Sequence, residues 1–380
     1  MRVALVPSSY WPRVGGVEEL TGRLARALTA RGHEIEVWVP IADEDGDWIG
    51  GREDGVRIRR HPMPLWPMSP TNMLAAPLRL AKAFRPLLAA TREFKPDLLH
   101  VQCFSTNGAY ATALCAATRT PLVITLQGET FMDDHRIYDE SVQLRWALRC
   151  GLRRARAISA CSQYTLDDAA QRFGAQPEKS RIIFNGVDTD ESIEPIAEQH
   201  YVLVLGRVVR NKGFDLAIRA FARIADRHPH HRLVIAGDGP AIPELRSLAA
   251  ELSMEERIEF TGAVGRAKVG RLIGAAELMV VPSRVEPFGI VVLEAWRAGR
   301  AVLASTHGGI PEFVRDGVDA VLVDPTDTAA FAHELDRMLG DERLRQALGQ
   351  HGAGRVRDFD WSRIVLEYEH LYEQATVTLR

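Results

Sequence analysis

The sequence predicts two α/β domains in tandem, and three observations support this fold class. The 380 residues exceed what one hydrophobic core usually supports. Short apolar runs alternate with helix-length segments, which is typical of βαβ units and parallel sheets. The pattern restarts at Tyr201, after the acidic segment DTDESIEPIAEQ (188–199). We therefore expect a first domain over 1–187, a linker over 188–199 and a second domain over 200–358.

The first half contains the elements of a parallel sheet. RVALVP (2–7) is a candidate buried strand, and a loop carrying Gly15 and Gly16 follows it. Leu20, Leu24 and Leu28 then recur at helical spacing. Further strands are predicted at RGHEIEVWVP (31–40), DLLHV (97–101), PLVITL (121–126) and AISA (157–160).

The second half repeats this order. YVLVLG (201–206) is a buried strand ending in glycine, and the helical segment FDLAIRAFARIA follows its loop. Each half therefore has the pattern of a Rossmann-like domain, which binds ligands beyond the carboxyl ends of its strands. The closing segment, 361–380, is amphipathic and is expected to pack back on the first domain. The later strands are predicted at RLVIAGDG (232–239), IEFTGAV (258–264), ELMVVPS (277–283), RAVLAST (300–306) and AVLVDP (320–325).

Composition excludes several classes of protein. A net charge of −3 gives no general attraction to nucleic acid. The four cysteines form no CxxC pair and no His/Cys cluster at metal-ligand spacing, which argues against disulfides and a structural zinc. The first residues do not resemble a signal peptide, and no run approaches the ~20 apolar residues of a membrane span. We expect a cytoplasmic protein.

Glycine loops at strand ends indicate a phosphate-binding region. In GRVVRNKG (206–213), Arg207 and Lys212 flank a loop that opens onto a helix, whose N-terminus attracts anions. Lys212 is one of only five lysines, which favours a compact point charge at this position over an arginine fork. Ordinary surface charge is the alternative. Similar loops at GG (15–16), AGDGP (236–240) and GGIP (308–311) suggest a phosphate or sugar in a crevice between the domains.

Two glutamates in VEPFGIVVLE (285–294) extend this site. ELMVVPS is a strand, so Glu286 lies in the loop beyond its carboxyl end and a helix begins near Gly289. The free backbone N–H groups around Phe288, Gly289 and Ile290 face the same way. Glu294 lies one and a half turns into the helix, where a carboxylate can accept both hydrogen bonds of a ribose diol. The alternative is that both glutamates are solvated charges at the helix edge.

At this point the sequence resembles the retaining GT-B glycosyltransferases, in particular family four. The shared motifs run in family order: GG after the first strand, RGHEIEV, FNGVD (184–188), GRVVRNKG, AGDGP, FTGAV, EPFGIVVLE and GGIPEFVRDGVDAVLV. The resemblance implies two Rossmann-like domains that face a central crevice. It assigns Glu286, Arg207 and Lys212 to catalysis, and it implies a donor site formed by Gly15, Gly16, Arg207, Lys212, Gly237, Gly239, Gly262, Val264, Glu286, Phe288, Gly289, Ile290 and Glu294.

The resemblance also implies the chemistry. Arg207 and Lys212 would hold the donor diphosphate, Glu294 the ribose, and Glu286 the donor sugar. The leaving diphosphate would help to deprotonate the acceptor, so no cofactor and no metal is expected. A UDP-sugar is the favoured donor and a GDP-sugar the second choice. The alternatives are a phosphorylase or epimerase on the same fold and a silent sugar-nucleotide-binding protein.

Two departures from the family bear on activity. Gln127 in TLQGET and Gln102 in LLHVQ stand where the family commonly carries histidine. Glutamine can donate a hydrogen bond to a sugar but cannot take a proton near pH 7. Because the leaving phosphate can serve as base, we expect an active enzyme.

The acceptor side is predicted from Gln102, Gln127, Glu129, Asp133 and His135. The acidity of the segment QGETFMDDHRIYDES (127–141), which carries Glu129 and Asp133, suits a hydroxyl-rich or amino-bearing acceptor such as an aminocyclitol or amino sugar, and a solvated loop is the alternative. Separately, Arg145, Arg149 and Arg153 form a basic helix stripe. The stripe is either a solvated face or a peripheral membrane contact for a lipid-linked glycan.

Overall fold

A computed structural model describes residues 1–10, 15–41, 50–53, 55–64, 76–132, 137–190 and 199–377. It divides the chain into two compact units. Unit 1 is Met1–Phe184 with Trp361–Arg380, and unit 2 is Asn185–Asp360. Each unit is built on a parallel sheet flanked by helices, so the prediction of two Rossmann-like α/β domains is confirmed.

Unit 1 contains an eight-stranded sheet in the order β3-β4-β2-β1-β5-β6-β7-β8. Only β3, which pairs with β4, is antiparallel among these described strands. In this order β2, β3 and β4 lie on one side of β1, and β5 to β8 lie on the other side. The strands are β1 Arg2–Pro7, β2 Glu34–Pro40, β3 Gly50–Glu53, β4 Val56–His61, β5 Leu98–Gln102, β6 Leu122–Leu126, β7 Ala157–Ala160 and β8 Ser180–Ile182.

The helices of unit 1 follow the predicted apolar spacing. Leu20, Leu24 and Leu28 are all buried on the inner face of the first helix. Glu18 and Glu19 lie in its first turn, where negative charge stabilises the helix dipole. The helices are α1 Gly16–Ala30, α2 Ala76–Phe94, α3 Thr106–Thr118, α4 Ile137–Glu140, α5 Val142–Arg154, α6 Gln163–Phe173 and, from the end of the chain, α13 Trp361–Val377.

The closing helix α13 packs on unit 1 through an aromatic and polar network. Its Tyr372 hydroxyl lies 2.7 Å from Nδ1 of the buried His100 on β5. His100 Nε2 lies 2.7 Å from the Thr125 hydroxyl on β6. That hydroxyl is 2.6 Å from the Ser159 hydroxyl on β7. The network therefore ties three neighbouring strands to a helix that follows unit 2 in sequence.

Unit 2 contains a six-stranded parallel sheet in the order β11-β10-β9-β12-β13-β14. The chain runs from β9 to β11 on one side and resumes at β12 on the other. The loops after β9 and β12 therefore diverge at a topological switch point, where α/β sheets bind ligands. The strands are β9 Gln199–Leu205, β10 Arg232–Ala236, β11 Ile258–Gly262, β12 Ala276–Val281, β13 Val302–Ser305 and β14 Val321–Val323.

Helices surround this sheet and close its core. Trp296 is fully buried, and its indole N–H donates to the Asp319 carbonyl at 2.8 Å. The helices are α7 Phe214–Ile224, α8 Ile242–Glu251, α9 Arg266–Ala275, α10 Ile290–Arg297, α11 Thr328–Gly340 and α12 Glu342–Arg355. Short 3-10 turns lie at Pro177–Lys179, Arg210–Lys212, Ile310–Glu312 and Val356–Phe359.

The structure adds strands that the sequence pattern does not predict. β4 is VRIRRH, in which only two of six residues are aliphatic, so an apolar run is absent although the valine and isoleucine are buried. The strand predicted at 201–206 is present as β9, which begins earlier, at Gln199, inside the predicted linker. Residues 191–198 lie outside the described part. Among the described residues, no helix combines the length and the apolar character needed to cross a membrane.

Two arginines of the basic stripe on α5 are bonded within unit 1. Arg145 Nη1 donates to the Tyr138 carbonyl at 2.9 Å. Arg149 Nη2 donates to the Arg172 carbonyl at 3.1 Å. These contacts engage two of the three guanidinium groups with carbonyls of unit 1.

Candidate active site

Glycines bring the loops after β9 and β12 together. Gly213 has φ +68°, and a Cβ atom there would lie 1.9 Å from the Pro282 carbonyl oxygen. Only glycine fits both the backbone conformation and this approach. The 3-10 turn before it carries Lys212, and Gly213 caps α7. The exposed Arg207 lies in the same loop.

Lys212 and Glu286 form an ion pair at this switch point. The Lys212 ammonium nitrogen lies 3.0 Å from Oε1 and 2.7 Å from Oε2 of Glu286. The Ser283 hydroxyl donates to Oε2 at 2.9 Å. The Glu286 side chain is 5% exposed and that of Lys212 is 25% exposed. The carboxylate is thus fixed, and the cation beside it remains reachable from solvent.

The backbone of Glu286 is held by the loop after β13. Gly309 N–H donates to the Glu286 carbonyl at 2.8 Å. A Cβ at Gly308, which has φ +95°, would lie 2.1 Å from the same oxygen. The neighbouring Phe288 is buried and stacks on Phe313 with ring centroids 4.6 Å apart. The ring of Phe288 is therefore part of the core, and only its backbone is available to a ligand.

The helix α10 presents its N-terminus beside this loop. Gly289 is its N-cap at φ +92°, without a side-chain cap, and Ile290 is its first residue. Val292 N–H donates to the Gly289 carbonyl at 2.9 Å, whereas the N–H groups at the very start of a helix generally have no intrahelical acceptor and attract anions. Glu294 is partly buried within the helix.

The remaining predicted donor residues of unit 2 line the same edge of its sheet. Gly237 N–H donates to the Gly262 carbonyl at 3.1 Å. A Cβ at Gly237 would lie 1.9 Å from the Gly206 carbonyl oxygen, and one at Gly239 would lie 2.3 Å from the Val208 carbonyl oxygen. Val264 is partly buried two residues beyond β11. The glycines let the loops after β9, β10 and β11 pack closely.

Gly15, Gly16 and Gln102 belong to unit 1. Gly15 is the extended N-cap of α1, and Gly16 is its first residue. Gln102 ends β5, is buried, and has its amide nitrogen 3.3 Å from His100 Nε2. This burial places Gln102 inside unit 1 and does not favour a direct contact with an acceptor.

Glu129 joins the loops after β5 and β6. Its Oε1 accepts from Phe104 N–H at 2.6 Å and its Oε2 from Gln127 N–H at 2.7 Å. Each oxygen is thus engaged by a backbone N–H group, and burial raises the pKa of this carboxyl to about 7 against those hydrogen bonds. Glu129 thus positions Gln127, which remains partly exposed. Asp133 and His135 lie outside the described residues.

Sequence reasoning missed three groups that hold Glu286. Ser283 lies in VPSRVEPF, and its hydroxyl is the second hydrogen-bond partner of the carboxylate, after Lys212. The sequence predicts a glycine loop at Gly308 and Gly309, but not that this loop anchors Glu286. The signal was present in the pairing of a strand-end serine with a glutamate three residues later.

Comparison with known proteins gives the family. Residues 14–191 match the family described as Glycosyltransferase Family 4, and residues 188–355 match the one described as Glycosyl transferases group 1. Glycogen synthase of Mycobacterium tuberculosis is 28% identical over 99% of this chain and 95% of its own length.

Solved structures share the fold. Sucrose-phosphate synthase from Thermosynechococcus elongatus superposes with a TM-score of 0.80 at 22% identity, covering 99% of both chains. The Anabaena protein HepE in complex with UDP-glucose superposes with a TM-score of 0.78 at 20% identity, covering 97% of this chain and 98% of that one.

Proposed function

Because this chain belongs to glycosyltransferase family 4 and has the GT-B fold, we propose that it transfers a sugar from a nucleotide diphosphate donor with retention of configuration. The observation that carries this proposal is the Lys212–Glu286 ion pair at the switch point of unit 2. The fixed carboxylate can accept a hydrogen bond from a sugar hydroxyl, and the cation within 3.0 Å of it can bind a phosphate. In a nucleotide-sugar these two groups are covalently joined.

The proposed reaction is a front-face substitution. The bond from the sugar C1 to the diphosphate oxygen breaks, and the acceptor oxygen bonds to C1 on the same face. The acceptor proton passes to the departing diphosphate. Lys212, Arg207 and the N-terminus of α10 stabilise the negative charge that develops on that diphosphate, and such electrostatic stabilisation is usually the largest catalytic effect.

Glu286 and Glu294 position the donor in this proposal. Glu286 accepts hydrogen bonds from the sugar hydroxyls, while Ser283 and the Gly309 amide keep it in place. Glu294 accepts hydrogen bonds from the ribose diol. No residue in this scheme needs a metal ion, so EDTA should leave turnover unchanged.

UDP-sugars are the favoured donors, with GDP-sugars second. The complex of HepE with UDP-glucose supports this preference. For the acceptor we propose a hydroxyl-bearing sugar, cyclitol or lipid-linked glycan. Gln127 is proposed to donate a hydrogen bond to it, because Glu129 holds the Gln127 backbone.

Thermal stabilisation by UDP, GDP and ADP, each with and without EDTA, tests the donor site. A nucleotide at 100 times its Kd stabilises its domain by about 2.7 kcal/mol, so the melting temperature should rise by several degrees. One nucleotide should act, independently of EDTA. No shift with any of them would contradict the proposal.

Transfer assays with UDP-glucose and a panel of hydroxyl acceptors test the reaction. Glu294→Gln should abolish transfer while leaving the melting temperature of the free protein unchanged. If the unaltered protein binds nucleotide but shows neither transfer nor slow hydrolysis of the donor, the alternative of a silent sugar-nucleotide-binding protein is favoured instead.

A further inference from the structure

A histidine and carboxylate cluster lies at the other end of the unit 2 sheet. His200 is near the start of β9, His231 directly precedes β10, and Glu277 is near the start of β12. The predicted donor residues follow the opposite ends of these strands. A strand of the length of β9 separates His200 from Gly206 by about 20 Å. The cluster is therefore separate from the donor site.

Three potential ligand atoms converge in this cluster. Glu277 Oε2 lies 3.2 Å from His200 Nδ1 and 2.9 Å from His231 Nε2. All three atoms lie within 4.8 Å of one another. In a tetrahedral zinc site with bonds of ~2.0–2.1 Å, ligand atoms are roughly 3.3 Å apart. Two of the three separations are already close to that value.

The surrounding residues hold two of the ligands in place. Arg345 Nη2 lies 2.5 Å from Glu277 Oε1, which leaves Oε2 directed at the histidines. The His231 carbonyl accepts from Arg257 Nε at 2.9 Å, which fixes the turn that carries the ring.

His200 completes the cluster from the solvent side. Its side chain is 72% exposed, whereas those of His231 and Glu277 are 13% and 5% exposed. An exposed imidazole can rotate to shorten its distance to the His231 ring. It also leaves room for a water molecule as a fourth ligand.

We propose that His200, His231 and Glu277 bind a divalent transition-metal ion of the Zn²⁺ type. Two imidazoles and one carboxylate, with one position open to water, form a ligand set that zinc accepts. The ion takes the place of the two contacts to Oε2, and each neutral imidazole that binds it carries its proton on the other ring nitrogen. It links the starts of β9 and β12 to the turn before β10, so its role is structural within unit 2.

Titration of the metal-free, full-length protein with ZnCl₂ alone tests this proposal. Calorimetry should show one site per chain, and His200→Ala should weaken its affinity for Zn²⁺ at least ~10-fold. Zn²⁺ should raise the melting temperature of the unaltered protein, but not that of His200→Ala. Co²⁺ in place of Zn²⁺ should give the strong visible absorption of a tetrahedral ion.

Two further variants make the result decisive. His230→Ala removes an exposed histidine from the same turn without touching the cluster, and its Zn²⁺ affinity should equal that of the unaltered protein. Glu277→Gln should also lose the site. If Glu277→Gln fails to fold because this residue is buried, the exposed His200→Ala provides the test. The proposal would be overturned if His200→Ala bound Zn²⁺ as tightly as the unaltered protein does. It would also be overturned if His230→Ala lost as much Zn²⁺ affinity as His200→Ala. His200→Ala and His230→Ala should both keep their stabilisation by nucleotide, because the donor site is at the opposite end of the sheet.

Discussion

At the scale of single residues, the ion pair between Lys212 and Glu286 is the feature on which the proposed chemistry depends. Lys212 is bound to both carboxylate oxygens before any donor arrives. A phosphate that enters therefore meets a cation that is already oriented and partly desolvated. Phosphate binding would then carry little of the entropy cost of ordering the Lys212 side chain.

We predict that Lys212→Ala lowers kcat for sugar transfer by about 10²–10³-fold, the usual cost of removing one transition-state donor. Lys212→Arg should also be impaired, because a planar guanidinium does not replace a compact ammonium group. Steady-state kinetics measures both. Arg210→Ala, an exposed cation in the same loop, is the matched control and should retain activity. Comparable kcat values in Lys212→Ala and Arg210→Ala would contradict the assigned role.

His61 provides a prediction about pH. Both of its ring nitrogens are buried without a hydrogen-bond partner among the described residues, and burial with the charge of Arg59 lowers its pKa to about 4. As the pH falls, His61 is protonated near pH 6.5 in the unfolded chain but only near pH 4 in the folded chain. Stability is therefore retained above pH 6.5 and falls by about 1.4 kcal/mol per pH unit as the pH drops towards 4.

His61→Phe should remove that part of the acid sensitivity. The phenyl ring keeps the edge contact with Trp38, whose centroid is 5.8 Å from that of His61, and it leaves no polar atom buried. Melting temperatures between pH 4 and pH 7 measure the effect, and the variant should gain most at the acid end. The exposed His230→Gln is the control. Parallel pH profiles for the unaltered protein and His61→Phe would refute this account.

At the scale of secondary structure, close loop packing depends on a few glycines. We predict that Gly213→Ala destabilises unit 2 by at least ~1–2 kcal/mol, because alanine is strained at φ +68° and its Cβ would overlap the Pro282 carbonyl. It should also weaken nucleotide binding by moving Lys212. Chemical denaturation measures the first effect, and nucleotide-induced shifts in melting temperature measure the second.

Gly270→Ala is the matched control for this substitution. Gly270 lies inside α9, and a Cβ there would have no neighbour within 4 Å. Alanine in a helix interior is more favourable than glycine by roughly 0.5–1 kcal/mol, so this variant should be neutral or more stable. If both variants lost the same stability, the close approach at Gly213 would not be the cause.

Most strands of both sheets were predictable because fully buried parallel strands are continuous apolar runs, as in YVLVLG and ELMVVP. β4 was not, because VRIRRH carries its buried valine and isoleucine between charged residues. The Gly loops and Glu286 were predictable from their positions at strand ends. The cluster of His200, His231 and Glu277 was not, since its members are far apart in sequence and only the sheet brings them together.

At the scale of the whole molecule, unit 1 is completed by the last helix of the chain. We predict that truncation after Asp360 destabilises unit 1, because it uncovers the strands carrying His100, Thr125 and Ser159 and removes buried residues such as Tyr368 and Tyr372. Unit 2 should still fold and respond to nucleotide. Proteolysis should then cleave the region 1–184 first. Resistance equal to that of the full chain would show that α13 is dispensable.

The position of α13 also has a consequence for synthesis. A ribosome releases Met1–Phe184 long before Trp361, so the first unit to leave the exit tunnel lacks the helix that covers His100. Unit 2 is one continuous segment and can fold as soon as its own residues have emerged. We therefore expect the order of maturation to be the reverse of the order of translation, with the nascent N-terminal half exposed to chaperones until the final helix docks.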